Sequence, residues 1–135
     1  MGIADYLNRN DQFAAGAGCR IVEMGEGYAK AVMTVGKRHL NAGGVCQGGA
    51  YFTLADLAMA AVMNSGGQLT FSVETNIAFL RSAREGDVLT ALARLKADHH
   101  KLPLLQVEIT DATGTLLCVV TSLAYRKSQR VPDGE

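Results

Sequence analysis

Asp56 stands in the middle of the run Gly48 to Ser65, whose other side chains are almost all apolar. A carboxylate in such surroundings is costly unless it is paired, hydrogen-bonded or used. Just ahead of it, Asn41-Ala-Gly-Gly-Val-Cys-Gln-Gly-Gly forms a polar, glycine-rich lead-in. Where such a lead-in delivers the chain to a helix N-terminus, free backbone N–H groups and the positive dipole end favour negative charge. One short stretch therefore offers a carboxylate that can act as base or nucleophile and a set of oriented donors. Gly48 and Asp56 are eight residues apart. On a helix they point in similar directions but lie about 12 Å apart, too far for one site within a single subunit.

Other reactive residue types lead nowhere comparable. Cys46 has no basic neighbour and reads as a small packing residue. His99 and His100 are adjacent, so they project to opposite sides of a strand or sit in a turn, and no ligand-type spacing accompanies them. The glycines at 43, 44, 48 and 49 lack the following Lys-Ser/Thr of a phosphate-binding loop.

The elements that must hold these groups follow from periodicity. Phe52, Leu54, Leu57, Met59, Val62 and Met63 leave the central helix without a continuous polar face, which places it inside the fold. Gly66-Gly67 ends it. Residues 3–15 read as one short amphipathic helix with Ile3, Tyr6, Leu7 and Phe13 inward. Cys19–Met24 and Tyr28–Val35 flank Gly25-Glu26-Gly27 as a hairpin. After the helix everything reads as strand: Leu69–Leu80, Val88–Ala97, Leu104–Thr110 and Thr115–Arg126, each alternating with period two. Short turns between them imply that sequential strands pair directly. Lys127 to Glu135 reads as a loose tail. The simplest packing is one antiparallel sheet of five to six strands curled around the helix, an α+β architecture in one domain spanning 1–135, with 1–17 as its N-terminal helical segment. A single sheet leaves an edge and apolar surface for a second copy to cover.

Composition sets outer limits. The 135 residues carry 13 Lys+Arg against 13 Asp+Glu, which gives no reason to expect nucleic acid or a membrane as partner. The sequence starts without a basic, apolar leader, and three widely spaced cysteines read as reduced thiols, so a cytoplasmic location is expected.

His39-Leu40-Asn41, Gly44, Gly48-Gly49 and Leu54-Ala55-Asp56 closely resemble the signature of hot-dog-fold acyl-CoA thioesterases, in particular the phenylacetic-acid-degradation (PaaI-like) group. Ser72-Val73-Glu74-Thr75-Asn76-Ile77, followed by Phe79-Leu80-Arg81, resembles that family's next strand. The likeness runs over roughly residues 18–126. It implies a hot-dog fold, a homodimer with a continuous sheet, often a homotetramer, and active sites at the subunit interface. One position departs from the pattern: Gln47 stands where the family usually has His. A glutamine amide can still hydrogen-bond, but it cannot carry a proton in and out.

The resemblance assigns roles residue by residue. Gly48 N–H polarises the thioester carbonyl, assisted by the helix dipole, and Asp56 of the other subunit activates water or attacks the carbonyl itself. Asn41 braces the lead-in or the carbonyl, Gln47 lies beside it, and Ser72 positions the attacking water. His39 fixes the loop. Gly49 and the segment Phe79 to Arg84 (Phe79, Leu80, Arg81, Arg84) border the coenzyme A path, with His99 and Lys101 at the next hairpin tip. No metal or redox cofactor is implied; coenzyme A is part of the substrate. The expected reaction is hydrolysis of an aromatic or medium acyl-CoA. The rivals are a non-catalytic acyl-CoA-binding hot-dog protein and, ranked lower, an enoyl thioester hydratase, which usually needs a His that Gln47 does not supply.

Overall fold

The computed structural model describes residues 2–132. Two short helices, α1 (Ile3–Asn10) and α2 (Gln12–Gly16), precede the hairpin β1 (Arg20–Gly25) and β2 (Tyr28–Thr34). A 3-10 turn at Lys37–His39 leads to the long helix α3 (Gly48–Met63). Four strands follow: β3 (Gln68–Phe79), β4 (Val88–Ala97), β5 (Leu104–Thr110) and β6 (Leu116–Arg130). They form one six-stranded sheet in the order β1-β2-β4-β5-β6-β3, antiparallel throughout.

The sheet curls around α3. Leu54, Leu57, Met59, Val62 and Met63 of the helix pack against Ala29, Ala31 and Met33 of β2, Leu89, Ala91 and Ala93 of β4, and Leu105, Val107 and Ile109 of β5 in one core. The small alanines of β2 and β4 let the helix lie close to the sheet. One strip of α3 stays outside this packing: Gly49 and Phe52 are exposed, while Thr53 and Asp56 are half-buried. The all-round apolar helix of the sequence thus has one uncovered side, and Asp56 lies on it.

Four expectations are corrected. The N-terminal segment is two helices, because Asp11 ends α1 and its side chain accepts from Ala14 N at 3.0 Å to cap α2. Phe13 is then turned outward and is 77% exposed. β6 continues to Arg130, so Lys127–Arg130 belong to the sheet rather than to a tail; residues 133–135 lie outside the described residues. Direct pairing of sequential strands fails for β3. It pairs with β6, not with β4, and stands at the sheet edge. There Phe71, Val73 and Phe79 are 54%, 59% and 53% exposed. A bulge between Ser72 and Glu74 interrupts their alternation, so Phe71 shares the outer face with its partner Tyr125 while Phe79 shares the helix-facing side with the buried Cys118.

Side-chain links fix the elements around the strip. Asn8 exchanges two hydrogen bonds with the Ile21 backbone, 2.8 and 3.0 Å, and docks α1 on β1. At the other end Asn64 caps α3: its amide donates to Ala60 O at 2.8 Å, and its carbonyl accepts from the buried Thr70 N at 2.8 Å. This joins the helix C-terminus to the start of β3. Removing the Asn64 side chain orphans a buried N–H, which costs about 1–3 kcal/mol. Asn64→Ala should lower the urea unfolding midpoint accordingly, with an unchanged slope; an unaltered midpoint would show the link to be dispensable.

Candidate active site

The lead-in loop is held by backbone bonds at both flanks. Cys46 N donates to Ala83 O at 2.9 Å, Gln47 N donates to His39 O at 2.8 Å, and Ala83 N donates to the Tyr51 hydroxyl at 2.8 Å. Ala83, fully buried between them, locks the β3–β4 connection against the start of α3. His39 is a brace, as the sequence suggests. Its Nδ1 accepts from Gly36 N at 2.9 Å and its Nε2–H donates to Ala17 O at 2.7 Å. Asn41 also braces the loop: its side-chain oxygen accepts from Gly43 N and Val45 N at 2.9 and 3.2 Å.

Gln47 turns out to be the helix cap. Its side-chain oxygen accepts from Gly49 N at 2.5 Å, and its backbone carbonyl accepts from Ala50 N. Among the described residues Gly48 N–H has no partner, so it is the first-turn donor left available at the positive end of α3. It borders a cavity of about 310 Å³ with Asn41, Phe79, Leu80 and Arg81. The Phe79 ring lies close over it; a Cβ on Gly48 would come to 3.0 Å from Phe79 Cζ. Phe79 in turn meets Tyr51 edge-on, centroids 5.8 Å apart.

Asp56 lies in a different compartment, about 230 Å³, together with Ser72. Among the described residues no hydrogen bond or ion pair holds its carboxylate. Burial raises the Asp56 pKa above the ordinary carboxylate value, and the charge of Asp11 in the same compartment raises it further. Ser72 accepts from the Ser122 hydroxyl at 3.3 Å, and the fully buried Ser122 also meets Thr75 Oγ1 at 2.8 Å.

The candidate residues therefore divide between two compartments, as two candidate half-sites. One holds Asn41, Gly48, Phe79, Leu80 and Arg81; the other holds Asp56 and Ser72. Gln47 and Gly49 face a third cavity on the outer side of the loop, beside Phe13 and Arg38. The expected coenzyme A border is not gathered within one chain. Arg84 lies in the β3–β4 connection, where its N–H donates to the Asp87 carboxylate, while His99 and Lys101 lie at the far end of β4, roughly 30 Å away at strand rise. His99 serves as a turn brace, Nδ1 accepting from Lys101 N and Leu102 N at 3.0 and 2.9 Å. His99 and His100 sit in the turn after β4, one of the two placements expected, with their rings stacked. Lys101 Nζ sits 5.7 Å from the Tyr125 ring centre. Cys19, Cys46 and Cys118 are buried free thiols. Burial raises the Cys46 pKa, the opposite of what a thiolate nucleophile needs.

Sequence reading missed three residues here. Asp11 was legible as a cap: an Asp directly after Asn10 is a helix stop and start signal. Asn64 was legible as a helix stop, but not its link to Thr70; Ser122 carried no local signal, since its partners lie on another strand.

A thioesterase superfamily model matches residues 43–118. A relative from Archaeoglobus fulgidus, named only provisionally as an esterase, is 38% identical over 96% of this chain and 84% of its own. The acyl-coenzyme A thioesterase PaaI of Escherichia coli is 36% identical over 91% of this chain and 88% of its own. The structure of the E. coli PaaI protein from the phenylacetic acid degradation operon superposes with a TM-score of 0.92, at 31% identity over 96% of this chain and 94% of that one. A hypothetical thioesterase of Streptococcus pneumoniae, solved with coenzyme A, reaches 0.83 at 25% identity over 92% and 99%. Two further structures of that protein replace an Asp, and a Thr sixteen positions after it, by Ala. Asp56 and Ser72 have the same separation. The chain belongs to the thioesterase superfamily and has the hot-dog fold.

The raised carboxyl has a consequence for stability. A folded-state pKa above the unfolded one means that the native chain holds its proton more tightly. Stability is then lost as pH rises from the ordinary carboxylate range, near 4, through the folded value. Asp56→Asn removes that loss. The variant should melt higher than the natural chain at pH 7, with the gain vanishing below about pH 4. An equal or lower Tm at pH 7 would show that the carboxylate is not held at a cost.

Proposed function

We propose that this chain hydrolyses an acyl-coenzyme A thioester to a free acid and coenzyme A, acting on an aromatic or medium acyl group as a homodimer or a pair of dimers. The observation that carries this reading is the division of the chemistry. An available N–H at the start of α3 and an unpartnered carboxylate eight residues later face separate compartments of one chain. A two-fold partner packed on the exposed edge of β3 and the open strip of α3 would bring Gly48 of one protomer to the Asp56 of the other.

In such a composite site Gly48 N–H receives the carbonyl oxygen and stabilises the oxyanion as it develops. Asp56 takes the proton of a water held by the Ser72 hydroxyl, or attacks the carbonyl and forms an anhydride that water then opens. Both courses expel coenzyme A as a thiolate, a good leaving group, so no strong acid is required beside Gly48. Gln47, which caps the helix instead of titrating, is compatible with that chemistry. The relatives' printed activities and the Asp-to-Thr spacing of the pneumococcal protein support the reading. The rival of a binding protein without turnover rests on the same Gln47. It predicts no thiol release from any acyl-CoA, with a Tm raised by coenzyme A.

Gly48 is the first residue of α3, where proline is tolerated but has no N–H to donate. Gly48→Pro should keep the helix signal in circular dichroism and cut kcat by about 100- to 1,000-fold. Asp56→Ala should be equally inactive. Unfolding and refolding the two variants together at equal amounts creates mixed dimers with one intact site each, so about a quarter of the natural activity should return. No recovery in verified mixed dimers would place both groups in the same protomer's site, or one of them outside it.

A further inference from the structure

Beyond the two reacting groups, the Asp56 compartment has walls that no role above explains. Tyr6 and Leu7 of α1, Ala60 and Met63 of α3, and Leu69 and Phe71 of β3 line it. Its volume is about 230 Å³. Cavities of about 150 Å³ lined by such side chains hold a benzene ring. Two carboxylates, Asp11 and Asp56, border this space, and its lining includes no Lys, Arg or His.

We propose that this compartment receives the acyl group of the substrate, that Leu7 and Tyr6 on α1 set the length it accepts, and that Asp11 turns away acyl groups bearing a carboxylate. The inference rests on the thioesterase reading and extends it to specificity. If Asp56 reacts, the thioester carbonyl carbon comes within about 3.5 Å of it. One of the two arms attached to that carbon must then enter the space beside Asp56. The coenzyme A arm ends in phosphates and carries polar amides; two carboxylates and an apolar wall oppose it. A neutral acyl group meets no such opposition and removes its apolar surface from water. The opposite half-site, which carries Arg81 beside Gly48, is the side suited to the charged arm.

The wall is placed by specific contacts. Asn8, next to Leu7, is tied to Ile21 by both its side-chain atoms, so α1 is fixed against the sheet. Leu7 is only half-buried, with the core on one side and the compartment on the other. Asp11 uses one carboxylate oxygen to cap α2, and an Asn would keep that bond. The other charged or titratable groups in reach are few. From α1 there is Tyr6, from α3 Asp56 itself, and β3 and the end of β6 contribute none to the lining.

The test compares kcat/KM for acetyl-CoA, phenylacetyl-CoA and decanoyl-CoA in the natural chain, Leu7→Ala and Leu7→Phe. Leu7→Ala should raise the decanoyl-to-phenylacetyl ratio about tenfold, and Leu7→Phe should lower the phenylacetyl-to-acetyl ratio about tenfold. Changes in these ratios cannot come from simple loss of folding, which lowers kcat/KM for all three substrates alike. Parallel changes for all three substrates would overturn the acyl assignment while leaving the thioesterase reading intact. No turnover of any of them by the natural chain would remove both. Independently, Asp11→Asn should raise the succinyl-CoA-to-hexanoyl-CoA ratio about tenfold at fixed pH; an unchanged ratio would show that the acyl group does not lie beside Asp11.

Discussion

A buried helix cannot hold an unpaired carboxylate against a sheet, and this one constraint orders the rest of the molecule. The curl of the sheet buries every side of α3 except the strip that carries Gly49, Phe52, Thr53 and Asp56. Covering Asp56 with β2 or β4 would have set the charge against alanine and leucine, at a cost of several kcal/mol. Leaving it on the open strip keeps it half-solvated, reactive in principle, and in need of a lid. α1, Asp11 at its end and the first residues of β3 supply that lid in part, and Asn8 docks the helix there.

The other end of α3 answers a different need. A donor can act on a substrate only if it is fixed and unspent. The Ala83 junction fixes the helix start, with Cys46 and Tyr51 each bonded to the backbone of that one residue. Gln47 takes Gly49 N–H, leaving that of Gly48. The cap thereby sharpens the site to a single outward amide, and it does so without a titrating group. On the Asp56 side burial displaces a carboxylate upward, whereas around Gly48 burial pushes the Cys46 thiol and the Tyr51 hydroxyl up, which keeps both neutral.

Most of the architecture could be read from periodicity. The helix, the hairpin and the four later strands were legible because each repeats one spacing over many residues. So were Asp56, by its isolation among apolar side chains, and Gly48, by its position at a helix start. What could not be read was which apolar face is covered. Phe71, Val73 and Phe79 alternate in the sequence as buried positions do, yet they are exposed on an edge strand, and a bulge between Ser72 and Glu74 sets Phe71 and Phe79 on opposite faces. Alternation reports neither such a bulge nor whether the cover of an apolar face belongs to the same chain. Ser122 was silent for a related reason. It is defined by hydrogen bonds to β3 residues brought close only by the pairing of β6 with β3. The two segments of the expected coenzyme A border, the β3–β4 connection and the hairpin tip of β4 and β5, are separated within one chain by the full length of a strand.

The strand order also bears on how the chain is made. β3 is the third strand to be synthesised, but among the described residues its one neighbour in the sheet is β6, the last. Until β6 leaves the ribosome, β3 has both edges open and carries Phe71, Val73 and Phe79 with nothing to pair against. Its placement needs contacts distant in sequence, which slow folding and lengthen the exposure of aggregation-prone surface. The Asn64–Thr70 link is the one local hold available early, because it needs only the helix that has just been made. Completion of the sheet therefore waits on β6, and until then β3 is tied to the chain made before it chiefly through its junction with the end of α3.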